Sequence, residues 1–576
     1  MEREPASPDS PARICFRAGA SVGCVSGTEG AHVAGIGGCG SKVILNFNPP
    51  RLVVFTGDLG YSVRRNIVDI DALIADVSWL VIVHAPKKSI LSLLRSQRNN
   101  LVKHGWRWIP YQVGEVVGRL MNRRAVGDRS GLPGAEYQSS ALANNPRIRV
   151  LYTPDIHSTE IVIAVRAFAP DLGLSLAAPI LKPEIFQAPR LGTINLHKGK
   201  LPEFRGMPPA FWEFWTDMPS VGCSVHWVDS RLDQGAVLLA SEIQRQRFSS
   251  PRGIRLRLDE LGASLVCEAV QGVLSGEVHA EAQLPGAGKT YRKPTLAQES
   301  QLAARLRKIG PDSQPAWPVL LKGLVQRILF RLHGVILWRL LPPRVTVLLY
   351  HRVCDSARDN LTVGVEQFER QMGLLARHCE VVTIDKVLAM DQVPRRRRPL
   401  VAVTFDDGYL DNYVNAAPAL RRHCIPAAFF VTTGIVDSTR QFPHDRHRGN
   451  STLPVLSWQQ IRKMRDWGFT IGSHTVNHVD CVAADAETVQ HELSQSIEDL
   501  TREVGNSFRL ILAYPYGGKH QMNSERLELV RQAGYVGCLS AFGGSNINSV
   551  DRTAVLRRGI HWEFTDNAFL FQTLGY

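Results

Sequence analysis

The run Thr404-Phe405-Asp406-Asp407-Gly408 constrains this chain more than any other feature. It ends the apolar stretch Leu400-Val401-Ala402-Val403-Thr404-Phe405, which reads as a buried strand. Carboxylates at the carboxyl end of such a strand lie where open α/β sheets and α/β barrels keep their chemistry. Ser473-His474-Thr475-Val476-Asn477-His478 follows, with two histidines at i and i+4. That spacing lets both imidazoles share one face of a helical turn and hold one ion. Carboxylate and neutral imidazole are the ligands of a hydrolytic zinc centre, with a position left for water. The paired aspartates can divide the work, one holding the metal and the other taking a proton from water. Each motif alone also has an ordinary reading, a strand-end turn or a helix surface. A third element, Tyr514-Pro515-Tyr516-Gly517, follows another short apolar run, Leu510-Ile511-Leu512-Ala513. The three together outweigh the ordinary reading.

Residues from about Val345 to the C-terminus resemble the polysaccharide deacetylase family of the chitooligosaccharide deacetylase (NodB homology) type, through TFDDG, SHxxxH and YPYG in that order. The resemblance implies a distorted (β/α) barrel and removal of an N-acyl group, usually acetyl, from an amino sugar. By motif, Asp406 is the expected catalytic base. Asp407, His474 and His478 are the expected ligands of a divalent metal, zinc by expectation. Ile560-His561 loosely matches the family's late general acid, so His561 is a candidate for that role, with a plain surface histidine as the alternative. His351, in Leu349-Tyr350-His351-Arg352, matches a family strand and is read as structural. Many members carry an arginine two residues before the proline of the Pro-Tyr-Gly turn. Ala513 stands there in this chain.

The first half carries a second pattern. Leu52-Val53-Val54-Phe55-Thr56, Trp79-Leu80-Val81-Ile82-Val83, Ile148-Arg149-Val150-Leu151-Tyr152 and Ile161-Val162-Ile163-Ala164-Val165 are strand candidates. Helical patterns separate some of them, which predicts a mostly parallel sheet. In Gly192-Thr193-Ile194-Asn195-Leu196-His197, Asn195 and His197 alternate on a strand and can face one cleft. An Asn amide can donate to a developing oxyanion, and a His can move the proton of an attacking amine. Asp233, in the turn Leu232-Asp233-Gln234-Gly235, can orient or polarise that histidine.

With Leu201-Pro202-Glu203-Phe204-Arg205-Gly206 added, the pattern NxH, LPxxRG and LDxG resembles the formyltransferase family over roughly residues 50 to 295. That family includes methionyl-tRNA, glycinamide ribonucleotide and sugar N-formyltransferases. The resemblance implies a Rossmann-like domain, 10-formyltetrahydrofolate as donor, and formyl transfer to a primary amine. By motif, Asn195, His197 and Asp233 are the expected catalytic residues. Several members have Pro-Ser after the histidine, where this chain has Lys198-Gly199, a difference that bears on the acceptor. The transfer-RNA members append a basic β-barrel. Residues 246 to 300 are short for one, so no nucleic acid partner is expected.

At 576 residues the chain is too long for one domain, and ~150 residues per domain suggests three or four units. The expected division is 1–48 as a disordered or spurious extension, 49–300 as the formyltransferase-like domain, 301–344 as a basic amphipathic linker and 345–576 as the deacetylase domain. The net charge of +14 favours anionic partners. The cysteines are scattered, as suits free thiols in a reducing compartment. No apolar leader opens the chain, so a cytoplasmic enzyme is expected, in reach of the inner membrane surface. Between Ser313 and Cys354 there is no acidic residue, and the apolar stretch from Pro318 to Pro343 carries Lys322, Arg327, Arg331 and Arg339. Such a helix either docks on one domain or makes peripheral contact with an anionic membrane. Arg395-Arg396-Arg397-Arg398 reads as a solvated loop. The expected function is a bifunctional exchange of acyl groups on a nucleotide-linked or lipid-linked amino sugar. The alternatives are two independent tethered activities, or one degenerate half serving as a membrane-surface module.

Overall fold

Long apolar runs of the first half form strands buried on both faces, as parallel strands between helices do. The computed structural model describes residues 49–86, 145–284, 286–307, 317–442, 444–445, 453–505 and 508–575. The expectation for residues 1–48 therefore lies outside the described residues. β1 (Arg51–Thr56), β2 (Ser78–His84), β3 (Ile148–Thr153), β4 (Leu172–Ser175) and β5 (Thr193–His197) run parallel in the order β3-β2-β1-β4-β5. β7 (Ser220–Trp227) and β8 (Val237–Gln244) extend that sheet antiparallel beyond β5. β6 (Phe204–Gly206) pairs apart with β9 (Lys289–Tyr291). One sheet face buries Leu52, Val54, Trp79 and Val81 against Ile67 and Ile70 of α1 (Tyr61–Leu73). The other buries Val53, Phe55, Leu80 and Ile82 against Ile161 and Val165 of α2 (Thr159–Phe168).

Helix α2 corrects one strand expectation. Ile161 and Val165 are buried while Ile163 is 62% exposed. A strand would put all three on one side, whereas a helix separates i+2 from i and i+4. A β-branched run this short does not distinguish the two periods. The remaining predicted strands lie within β1, β2 and β3.

The second half is a nine-stranded sheet that curls into a distorted half-barrel. Its main path is β18-β17-β16-β15-β14-β10-β19. The strands are β10 (Arg344–Tyr350), β13 (Glu380–Val381), β14 (Leu400–Phe405), β15 (Ala428–Val431), β16 (Thr470–Ser473), β17 (Ile511–Ala513), β18 (Gly537–Leu539), β19 (Asn546–Ile547) and β20 (Arg557–Gly559). β13 pairs with β14, and β20 with β10. A small pair, β11 (Arg352–Val353) and β12 (Thr362–Val363), sits beside them. Val401, Val403 and Phe405 pack against α5 (Val365–His378) and α6 (Ala417–His423). Leu400 and Ala402 meet Phe430, Ala513 and Leu539 of other strands.

Both sheets lie in one compact unit, 41–576. Helix α3 (Pro251–Ser275) packs on the first sheet and its N-terminal end is stitched to the second half. Ser250 caps that end, accepting from the Gly253 N–H, and its hydroxyl donates to Glu366 of α5 at 2.7 Å. Phe248 N–H donates to the Asp355 carbonyl, and Asp355 N–H donates to Gln246 Oε1. Farther along α3, Glu260 lies 3.7 Å from Arg422 of α6. The linker expectation holds a helix, α4 (Trp317–Leu332), prolonged by a π turn at His333–Leu337 and a last turn at Trp338–Leu340. The described cysteines are all free thiols.

Candidate functional site

β14 ends at Phe405 and delivers both aspartates at the carboxyl edge of the curled sheet. Asp407 takes a left-handed φ of 75°, a backbone state that L residues rarely adopt. His474 and His478 follow β16, but they do not lie on a helical turn, which corrects that expectation. Thr475 and His478 adopt left-handed φ of 62° and 56° in an irregular loop. The reason is Glu492 of α7 (Ala486–Val504), whose carboxylate accepts from the Val476 and Asn477 N–H groups at 2.9 and 2.8 Å. Those bonds replace the helical ladder and still bring both rings to one point.

His474 Nε2 and His478 Nε2 each lie 3.4 Å from Asp407 Oδ1. One ligand atom from each of Asp407, His474 and His478 falls within 4.8 Å of the other two. His474 Nδ1–H donates to the Ala513 carbonyl at 2.6 Å, so in the neutral ring Nε2 carries the lone pair that faces Asp407. Among the described residues, neither buried oxygen of Asp407 finds a hydrogen-bond donor. A fully buried carboxylate without donors, faced by imidazole lone pairs, is a donor set that suits a divalent cation.

Arg557 and His444 complete this cluster, and the sequence reading missed both. Arg557, on β20, gives Asp406 a two-pronged partner, Nη1 to Oδ1 and Nη2 to Oδ2, both at 2.7 Å. It supplies from a different strand the arginine that Ala513 lacks. The only sequence signal was a pair of arginines, Arg557-Arg558, just before Ile560-His561. His444 Nε2 lies 3.5 Å from Asp407 Oδ2. No motif marks it. Burial acts to raise the Asp406 carboxyl, but Arg557 and His474 outweigh it and hold the group below the usual carboxylate range. Burial likewise opposes ionisation of Asp407, and the surrounding imidazoles hold it well below that range. Burial and the adjacent His474 push His478 down to about 3. His351 is half-buried beside both carboxylates, and desolvation lowers its basicity. His561 meets Phe564 and Glu563, not the carboxylate pair, among its described contacts.

The second cluster lies at the end of β5, where the sheet changes direction. Asn195 and His197 alternate on that strand, and Leu196 points the other way, toward Gly262 of α3. His197 Nε2–H donates to the Phe204 carbonyl at 2.7 Å, so Nδ1 carries the lone pair and faces Asp233 Oδ2 at 3.5 Å. Burial pushes the His197 imidazole below its ordinary value, against the pull of Asp233. Asp233 sits in a turn at φ 53° and accepts from the Gly206 N–H at 2.9 Å. Gly206 is required there, since a Cβ would lie 2.2 Å from the Tyr291 carbonyl at φ 86°. Arg205 holds Gln283, whose amide donates to the Asp233 and Gly235 carbonyls. Gly199 is equally constrained, because a Cβ would meet His197 Nε2 at 2.5 Å.

His226, missed by the sequence reading, stands opposite Asn195 in the β5–β7 register. Its Nδ1–H donates to the Trp227 carbonyl, and its Nε2 accepts from the Asn195 amide at 3.1 Å. Its signal was its place in β7, whose register against Asn195 only the fold reveals. The cluster opens on a mostly apolar cavity of about 510 Å³, lined by Val63, Ala177, Pro179, Leu181 and Val228 among others. That volume suits a drug-sized ligand. Lys198 reaches the same cavity and pairs with Asp259 of α3.

Residues 394–538 match the family described as Polysaccharide deacetylase, and residues 112–270 match the one described as Formyl transferase. A Bacillus subtilis (strain 168) protein named as a polysaccharide deacetylase, YxkH, is 27% identical over 198 residues, 34% of this chain and 63% of that protein. The methionyl-tRNA formyltransferase of Fusobacterium nucleatum is 32% identical over 145 residues, 25% of this chain and 46% of its own. The chain thus spans less than two thirds of the length of either relative. Among solved structures, the Streptococcus pyogenes deacetylase PplD in complex with acetate overlaps 41% of this chain and 99% of its own, at 22% identity and a TM-score of 0.34.

Proposed function

The chain joins a formyl transferase domain to a polysaccharide deacetylase domain, and we propose that it exchanges acyl groups on an amino sugar. The deacetylase half hydrolyses an N-acetyl amide, and the formyl transferase half formylates the freed amine from 10-formyltetrahydrofolate. The observation that carries this reading is the union, in one compact unit, of a site equipped to release a primary amine with one equipped to acylate it. The substrate class is a nucleotide-linked or lipid-linked amino sugar. Residues 251–275 form a single helix, and no β-barrel follows among the described residues, which favours a small amine acceptor over transfer RNA.

For hydrolysis, Asp407, His474 and His478 would hold a divalent ion, zinc being the expected one. Such an ion polarises the amide carbonyl and makes water a stronger acid. Asp406 takes the proton of the attacking water, and Arg557 keeps that carboxylate ionised and aimed. The C–N bond then breaks, and the amine leaves after taking a proton. For transfer, the amine attacks the formyl carbon of the donor. The Asn195 amide donates to the oxygen that becomes negative. His197 Nδ1 takes the amine proton, and the imidazolium so formed is met by Asp233. The imidazolium returns that proton to the folate nitrogen as its C–N bond to the formyl carbon breaks, releasing tetrahydrofolate.

The test supplies an N-acetylated nucleotide-linked amino sugar, a divalent metal and 10-formyltetrahydrofolate, with products followed by mass spectrometry. The N-formyl sugar is expected from the intact chain. His197→Ala should accumulate the free amine, and Asp407→Ala should leave the acetyl sugar untouched. N-formyl product that survives either substitution overturns the exchange.

A further inference from the structure

Helix α4 and its prolongation have two unlike faces. One packs on α8 (Asp566–Thr573) and α5, where Gly323 approaches Asn567 and Phe330 meets His378 edge-on at 5.8 Å. His333 on the same side is buried. The opposite face carries Leu321, Leu324, Ile328, Leu332, Val335 and Leu340, between 42% and 71% exposed. Their three- to five-residue steps form a continuous stripe along the helix. Exposed apolar side chains scattered singly need no explanation, but a contiguous stripe does.

The margins of the stripe are cationic. Lys322, Arg327, Arg331 and Arg339 are exposed, and none forms an ion pair with a described acid. No acid exists between Ser313 and Cys354. The arginine run is fastened to the end of the same helix. Arg395 donates to the carbonyls of Trp338, Arg339 and Leu341, and Arg397 to that of Gly334. The Arg395 guanidinium is thus fixed at the helix C-terminus, where cations are favoured, and Arg397 is held at the preceding π turn.

We propose that this face docks on an anionic lipid bilayer, with α4 lying in the plane of the interface. An apolar stripe with cationic margins matches acyl chains flanked by anionic headgroups. A second copy of the chain fits less well. A two-fold interface would set the same unpaired cations against one another, with no acid in the segment to receive them. No helix among the described residues is long and apolar enough to cross a membrane. A helix lying in the interface plane makes a peripheral contact, and it stands whether or not the two catalytic halves share a substrate.

The test is sedimentation of the full chain with vesicles of phosphatidylcholine alone or with ~30% phosphatidylglycerol, at low and high salt. The expected result is binding to the anionic vesicles that weakens with salt. Leu324→Glu combined with Ile328→Glu should lower partitioning at least tenfold, with an unchanged circular dichroism spectrum. Arg327→Gln combined with Arg331→Gln should lower it severalfold and flatten the salt dependence. Failure of the intact chain to bind anionic vesicles overturns the proposal, as does equal binding by the Glu variant. A dimer in light scattering that the Glu variant splits, without vesicle binding, assigns the face to a second copy and also overturns it.

Discussion

The two clusters are built from the same side chains, aspartate and histidine at the ends of strands, yet they settle their charge in opposite ways. In the second half, Asp406 and Asp407 are both buried, and only Asp406 has a guanidinium. Asp407 faces imidazoles and, among the described residues, no donor. A buried carboxylate left in that state requires a cation. In the first half, two imidazoles stand 3.5 and 3.6 Å from Asp233, and that carboxylate accepts from the Gly206 N–H. That set is already balanced, so it is suited to moving a proton beside a wide apolar cavity. The count of carboxylates without donors, more than the identity of the residues, separates an ion-holding site from a proton-moving one.

If this contrast is right, one substitution in each half should separate them cleanly. Asp407→Ala should remove bound metal, measured by elemental analysis, and slow amide hydrolysis about a thousandfold or more, since metal catalysis is worth several kcal/mol. Formyl transfer to a supplied free amine should persist. His197→Ala should do the reverse, costing transfer roughly 10²- to 10⁴-fold while metal content stays at the intact level. Metal loss in His197→Ala would erase the distinction.

Arg557 is the next point of attack. Arg557→Ala leaves Asp406 ionised and buried without a partner, which costs about 3–5 kcal/mol of stability in denaturant unfolding. Arg557→Lys retains the charge but not the two-pronged geometry. It should hold metal and yet hydrolyse about tenfold more slowly, a change of ~1.4 kcal/mol. Intact hydrolysis in the Lys variant would mean that Asp406 needs charge alone.

How much of this was legible depended on how local each signal is. Asp406 and Asp407 could be placed at a strand end because an apolar β-branched run stops at Phe405. Asn195 and His197 could be assigned one face because strand alternation is a local rule. Arg557 could not be found that way. It reaches Asp406 through the pairing of β20 with β10, which in turn pairs with β14, and that pairing is set by the curl of the whole sheet. His226 was hidden for the same reason, since only the antiparallel register sets it opposite Asn195. The His474 and His478 spacing fitted a helical turn, and a distant acid, Glu492, decided otherwise. Ile161–Val165 failed because a short β-branched run fits both periods.

Glu213 extends the contrast beyond the sites. It is buried in the first half, and its Oε1 has no hydrogen-bond partner among the described residues, as with Asp407. No cation-holding ring surrounds it, and burial raises its carboxyl to about 7. It resolves its charge by keeping its proton. Because the folded state binds that proton more tightly, stability is fully present below the ordinary glutamate range and falls as pH rises toward 7. The loss is up to ~3 kcal/mol. Glu213→Gln should flatten this slope in unfolding measured from pH 4.5 to pH 8. An unchanged slope would show that the acid is not held neutral.

His226 offers the finest probe of the first cluster. Its Nδ1–H is committed to the Trp227 carbonyl, so its Nε2 is the acceptor that orients the Asn195 amide. Losing one such hydrogen bond costs about 0.5–1.5 kcal/mol, or up to roughly tenfold in rate. His226→Ala should therefore lower kcat for formyl transfer by that factor while KM for the donor and all amide hydrolysis stay level. His226→Gln, which can still present an acceptor, should recover part of the loss. If Ala and Gln fall equally, the imidazole matters for its charge beside Asp233, 3.6 Å away, and not for aiming Asn195. If neither falls, Asn195 is held by its strand alone, and the balanced network contrasted with the metal centre reduces to Asn195, His197 and Asp233.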